Sequence, residues 1–169
     1  MTEKEKLTKK LKLVTMNEVD ISTEENPIIG TQALSTCVGM LLYSEVKKKA
    51  IVAHFSVEWE SLVVPMLELI FDNGLNDDDL KIKYYIIPGY YEEHYKVKNS
   101  LEKVCRSLHP TFIPFDEKEI PSNAVEKDGD LPAYRFAFDA SAGKFITDKV
   151  LYGLDYLKVC KDIPNKKRI

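Results

Sequence analysis

A chain of 169 residues, 44% hydrophobic and 30% charged, has the size and apolar content of one globular domain with a real core. Its formal net charge is -3, with acidic residues spread around the basic clusters at Lys47–Lys49 and Lys166–Arg168, so nucleic acid is not the expected partner. No apolar stretch approaches the roughly 20 residues that cross a bilayer, which excludes a membrane-spanning helix from the expectations.

In chain order, Met1–Lys12 is crowded with Lys and Glu and reads as a frayed lead-in without the apolar region of a secretory signal. Leu34–Tyr43 and Ala50–Phe55 are apolar at strand length and predict a β-hairpin around the polar Ser44–Lys49 stretch. Ser61–Phe71 has helical spacing and stops before Asp72-Asn73-Gly74, with Pro65 expected in the first turn. Lys81–Ile87 predicts a strand ending at the Pro88-Gly89 turn, and Tyr91–Leu108 an amphipathic helix with Val97, Leu101, Val104, Cys105 and Leu108 on one face. Thr111–Phe115 predicts a short strand and Pro121–Pro132 an irregular loop. Ala133–Phe138 and Lys144–Leu151 predict a second hairpin. This order predicts an α+β fold: a mixed, mostly antiparallel β-sandwich with helices packed on the sheet. It occupies a single domain over residues 11–157, between flexible termini at 1–10 and 158–169.

Three cysteines, Cys37, Cys105 and Cys160, form an odd set with no C-x-x-C pair and no histidine at ligand spacing, so neither a disulfide framework nor a metal site is expected. Without an export signal, a reducing, cytoplasmic location is the expectation, although delivery into another cell is not excluded by sequence, and there a thiol keeps its chemistry. If the first hairpin turns between Glu45 and Val46, Cys37 stands directly opposite His54, with Cβ atoms ~4.5–5.5 Å apart. A sulfur and an imidazole at that separation share a proton, and an imidazolium neighbour lowers a cysteine pKa from ~8.5 to ~3.5–7.5. Gly39, on the same face, removes a side chain beside the sulfur and leaves space for a substrate. The same two residues also suit a small core cysteine and a hydrogen-bonded structural histidine. Cys105 reads as core, Cys160 as an exposed bystander, and His94 and His109 as solvated or capping residues at helix ends.

Gly30-Thr31-Gln32-Ala33-Leu34-Ser35-Thr36-Cys37-Val38-Gly39, followed seventeen residues after Cys37 by His54, resembles the active-site stretch of the CheD chemoreceptor glutamine deamidases. There a threonine six residues before the cysteine and a histidine ending the next strand complete a triad. Leu34-Ser35-Thr36-Cys37 is also similar to the Leu-Ser-Gly-Cys signature of toxin deamidases of the cytotoxic necrotizing factor type. The order of strand, Pro-Gly turn and helix over Lys81–Leu108 is similar to that in CheD and in N-terminal asparagine amidohydrolases. The chain departs from the CheD pattern in carrying Ser35-Thr36 before Cys37 and Pro88-Gly89 where CheD has a glycine pair.

The resemblance implies a CheD-like fold and a cysteine amidohydrolase acting on glutamine or asparagine side chains of a protein or peptide substrate. Cys37 would be the nucleophile, His54 its base and Thr31 the residue orienting the imidazole. Ser35, Thr36 and Gly39 would flank the oxyanion and substrate site, and no metal or organic cofactor is required. Removal of the amide from an N-terminal asparagine or glutamine, with Glu58, Glu60 or Glu92 receiving the α-amine, is an alternative. So is a noncatalytic protein-binding module, with Trp59, Tyr84, Tyr85, Tyr90 and Tyr91 available for a rim; the oligomeric state is not legible. The enzyme reading expects iodoacetamide at neutral pH to label Cys37 before Cys105 and Cys160, whereas equal sluggishness, read by mass spectrometry, favours the binding module.

Overall fold

The computed structural model describes residues 2–77, 81–108, 110–127 and 130–147, with the backbone of 167–168. It is α+β, with mixed, mostly antiparallel sheets. One sheet holds β1 (Leu11–Val14), β3 (Ile28–Leu34), β9 (Tyr134–Asp139) and β10 (Lys144–Phe145) in that order, with β8 (Glu126–Lys127) also paired to β9. The other has six strands, β11 (Lys167–Arg168), β2 (Glu18–Ile21), β5 (Lys49–Phe55), β4 (Val38–Ser44), β6 (Ile82–Ile87) and β7 (Phe112–Pro114). Only β1–β3 and β6–β7 are parallel among these pairings. The α-helices among the described residues are α1 (Glu3–Lys10), α2 (Glu60–Asp72) and α3 (Tyr95–Ser107).

The central hairpin explains the layering. Every residue of β4 is buried, so both of its faces are covered, and its side chains divide by pleat alternation. Val38, Met40 and Leu42, with Ile51, Ala53 and Phe55 of β5, pack against Leu62, Met66, Leu69 and Ile70 of α2 and Val97, Leu101 and Cys105 of α3. Leu41, Tyr43, Ala50 and Val52 face the other way and share a core with Val14, Ile29, Leu34, Phe136 and Phe138 of the second sheet. Beyond that sheet, Leu11, Leu13, Ile28 and Ala137 are covered in part by Leu7 of α1.

Several expectations are corrected. The lead-in at residues 3–10 is a helix capped by the Thr2 hydroxyl, and it runs into β1, which with β2 has no counterpart in the sequence reading. Those two strands carry Lys12, Glu18 and Asp20, all buried; Lys12, expected in a frayed lead-in, pairs with Asp20 at 3.4 Å and donates to the Ile21 carbonyl. The expected strand over Leu34–Tyr43 is divided: Leu34 ends β3, Ser35–Cys37 form a loop, and β4 starts at Val38. The intervening turn is Glu45–Lys48, with Lys48 at φ 54°, which moves the hairpin register by two residues.

Helix α2 starts at Glu60, one residue before the expected segment, so Pro65 lies past the first turn and its ring replaces the N–H that would reach the carbonyl of exposed Ser61. The segment Tyr91–Leu108 begins as a 3-10 turn at Glu92–His94, and α3 follows. The expected second hairpin forms between β9 and a two-residue β10, Lys144–Phe145, the rest of the expected strand to Leu151 being either outside the sheet or outside the described residues, and the Pro121–Pro132 loop contributes β8. His109, Cys160 and the expected domain end at Leu157 lie outside the described residues.

Gly30 marks the closest approach within the smaller sheet. A Cβ there would lie 2.3 Å from the Phe136 carbonyl oxygen and 2.9 Å from Ala137 Cα. We therefore expect Gly30→Ala to force β3 and β9 apart and cost about 1–3 kcal/mol, read as a lowered midpoint in urea.

Candidate functional site

The site is assembled where β3 of one sheet faces β5 of the other. Thr31 is fully buried on β3, and its hydroxyl lies 2.6 Å from the Val14 carbonyl oxygen and 2.8 Å from His54 Nδ1. A hydroxyl has one proton, and a carbonyl only accepts, so the Thr31 proton goes to Val14. The same oxygen must then accept from His54 Nδ1–H. Neutral His54 is consequently the Nδ1–H tautomer, and its lone pair sits on Nε2. That atom is buried and has no hydrogen-bond partner among the described residues.

Cys37 ends the loop just before β4, 7% exposed, in the core between the sheets with Leu34, Ile87 and Phe136. The register differs from direct opposition: Gly39 stands opposite His54 and Val38 opposite Phe55. A two-residue shift preserves the pleat face, and Cys37, in the loop just before the ladder, still belongs to the layer between the sheets. The sulfur and Nε2 are not hydrogen-bonded to each other. The Thr36 hydroxyl hydrogen-bonds the Cys37 sulfur instead.

The electrostatics correct the expected ion pair. Burial pushes the Cys37 thiol up, with the Thr36 hydrogen bond opposing. Burial also drives His54 down from 6.5 to about 4, against the nearby negative charge of Glu18. The resting pair is therefore a thiol and a neutral imidazole, because separating charge in this dry layer is costly. An Nε2 lone pair in this state is a base, ready to take a proton in the course of a reaction.

The loop carrying Cys37 is held by backbone. Ala33 adopts φ 59° where the β3–β9 register breaks between Thr31 and Leu34. The left-handed residue reverses the alternation, so that Leu34 points into the layer between the sheets just as Ile29 does. Gly89 then passes so close that a Cβ would lie 2.4 Å from both the Ser35 and Cys37 carbonyl oxygens. Tyr90 N–H donates to the Leu34 carbonyl at 3.1 Å and Tyr91 N–H to that of Ser35 at 2.9 Å. From the opposite side, the Ser35 hydroxyl donates to the Pro132 carbonyl at 2.8 Å. The sequence reading named Pro88-Gly89 as a turn standing where CheD has a glycine pair, but neither its packing against the cysteine loop nor Glu18.

Ser35 and Thr36 thus have their hydroxyls committed, to Pro132 and to the sulfur. The room beside Gly39 is taken: a Cβ there would meet Leu34 Cδ1 at 3.1 Å and Phe136 Cε1 at 3.3 Å, so the expected substrate space is filled by core. Around the loop, Tyr90, Tyr91 and Leu131 are exposed, and the Tyr90 ring touches Tyr91 and Tyr134. Trp59 and Tyr84 pack against the helix-side core and Tyr85 against the inter-sheet core, which removes them from the rim. Cys105 is core, its thiol pushed up to about 12 by burial. His94 is buried, not solvated, with Nδ1 2.5 Å from the Tyr91 carbonyl.

Among the described residues, no group of three or more His, Cys, Asp or Glu converges as a metal site, and no helix is long and apolar enough to cross a membrane. A cavity of about 650 Å³ opens at the far end of the β4–β5 hairpin, lined by Lys10, Lys47, Lys48, Lys49, Ser22 and Ser141, and it contains neither Cys37 nor His54. No protein-family model and no curated protein matches the chain.

The histidine also governs a pH dependence. Its native pKa lies below the unfolded value, so the unfolded chain binds the proton more tightly. Stability from this group is complete above pH 6.5, falls as the pH drops from 6.5 towards 4, and levels below about 4. The total is on the order of 3 kcal/mol. His54→Gln should remove that part of the acid slope in urea titrations between pH 7 and 4, and an unaltered slope would contradict the buried neutral histidine.

Proposed function

We propose that the protein is a cysteine amidohydrolase, with Cys37 as nucleophile, His54 as general base and then acid, and Thr31 as the residue that orients the imidazole. The particular reaction we infer is deamidation of glutamine, or asparagine, in a protein or peptide. The two-sheet architecture fits a β-sandwich of the CheD kind. The observation that carries the reading is the hydrogen bond from His54 Nδ1–H to Thr31, which leaves a bare lone pair at Nε2 in the same layer as the cysteine.

The chemistry starts from the neutral pair. The Cys37 S–H proton moves to Nε2 as the sulfur attacks the side-chain carboxamide carbon, and the carbonyl pair becomes an oxyanion. Backbone N–H groups of the Ser35–Cys37 loop are the candidate donors to that oxyanion, and the Thr36 hydroxyl, already on the sulfur, supports its negative charge. The imidazolium returns its proton to the nitrogen, ammonia departs, and a thioester remains. Water deprotonated by Nε2 attacks the thioester and releases a carboxylic acid, which ionises, and the Cys37 thiol. The net reaction consumes one water and yields one ammonia, with no cofactor. Tyr90, Tyr91 and Leu131 form the exposed apolar rim against which a polypeptide would lie.

Incubation with a candidate proteome should produce Cys37-dependent mass gains of ~1 Da at glutamine or asparagine, with ammonia released in step. Cys37→Ala should abolish both while leaving the circular dichroism unchanged. Turnover retained by that variant would eliminate the nucleophile. Activity confined to peptides with a free N-terminus, and lost on acetylation, would assign the N-terminal amidohydrolase reaction instead.

A further inference from the structure

The turn joining β1 to β2 supplies more to His54 than the Val14 carbonyl. Glu18, 5% exposed, begins β2. Its Oε1 is fixed by the Thr15 backbone N–H at 2.8 Å and by the Thr15 hydroxyl. Asn17, at φ 61°, bends the chain so that its N–H donates to the His54 carbonyl at 2.9 Å. Val19 stands opposite Ala53 in the β2–β5 ladder, so Glu18, between these two anchors, lies against His54. Because Val19 belongs to the helix-side core, pleat alternation turns Glu18 to the layer that holds the imidazole.

Strand β11, on the side of β2 away from β5, sets Arg168 opposite Glu18 and Lys167 opposite Val19. Lys12 of β1 pairs with Asp20 of β2 at 3.4 Å. The loop before β4 contributes Cys37, β4 Tyr43 and β6 Tyr85, all uncharged at neutral pH because burial raises each of them. Strand β9 brings Phe136 and Phe138 to this layer, and its Arg135 alternates to the other side, near Glu126. The carboxylate held by Thr15 is therefore the anionic group placed to act on His54.

We propose that Glu18 is a positioning residue for His54: a fixed anionic neighbour that stabilises the imidazolium formed when Nε2 takes the Cys37 proton, a role that rests on the amidohydrolase reading. Proton transfer from a neutral pair creates two charges in a dry layer. Thr31 accepts from one end of the ring, and a carboxylate already in place offsets the new positive charge without reorganisation. It acts through His54 and does not touch the reacting atoms.

Two readouts on the full chain test this without a known substrate: the second-order rate of Cys37 alkylation by iodoacetamide at pH 7, and the protonated fraction of the His54 ring followed by NMR as the pH is lowered to 4.5. Glu18→Gln should slow alkylation on the order of tenfold and leave the ring neutral where the parent has begun to protonate. Glu18→Asp, which keeps the charge, should restore most of both, whereas a purely structural role would lose them with either variant. Equal alkylation rates and superimposable ring titrations in folded Glu18→Gln would overturn the proposal. If that variant does not fold, Thr15→Ala, which loosens the carboxylate and keeps its charge, must slow alkylation by a smaller factor, and an unchanged rate overturns it equally. Failure of ammonia release in the parent sinks the deamidase reading and leaves both of these comparisons readable.

Discussion

The arrangement depends on where one proton resides. The Thr31 hydroxyl spends its hydrogen on the Val14 carbonyl, and everything about His54 follows from that: the tautomer, the position of the lone pair, and the direction in which the ring is useful. The constraint is topological as well as chemical. Val14 and Thr31 are register partners in a parallel ladder, while His54 belongs to the other sheet, so the hydrogen bond works only if the two sheets are packed at one separation. A buried polar bridge of this kind is costly to leave half-made, and it fixes the relative placement of layers that apolar side chains alone would leave looser.

Electrostatic cost explains why the resting site is neutral. Burial that excludes water penalises both a thiolate and an imidazolium, and the opposing contributions of Thr36 and Glu18 do not reverse the direction at either residue. Reactivity in such a site comes from groups positioned to meet charge as it develops, not from charge held in advance. The same buried groups tie the site to the stability of the fold, since the histidine resists protonation in the folded protein.

Much of this was legible in sequence. Apolar runs and helical spacing located β4, β5, β6, α2, α3 and the β9–β10 hairpin, because continuous apolar segments and 3.6-residue periodicity report burial directly. Thr31 and His54 were singled out, and they do meet. What escaped detection has physical causes. β1 and β2 carry Lys12, Glu18 and Asp20 inward, and charges satisfied across the turn between these two strands break the apolar pattern that reports burial. The hairpin register shifted because Lys48 takes a left-handed conformation more usual for glycine. The break after Thr31 was invisible for the same reason: Ala33 has no sequence mark of the φ it adopts.

The grip of the Gly89–Tyr91 segment on the cysteine loop is made entirely of main-chain atoms: two N–H donors, two carbonyl acceptors and a missing Cβ. The side chains of residues 90 and 91 take no part in it. The exposed surface and the thiol are thereby separable inheritances, for the aromatic pair can be exchanged through evolution or by design while the cysteine loop stays where it is.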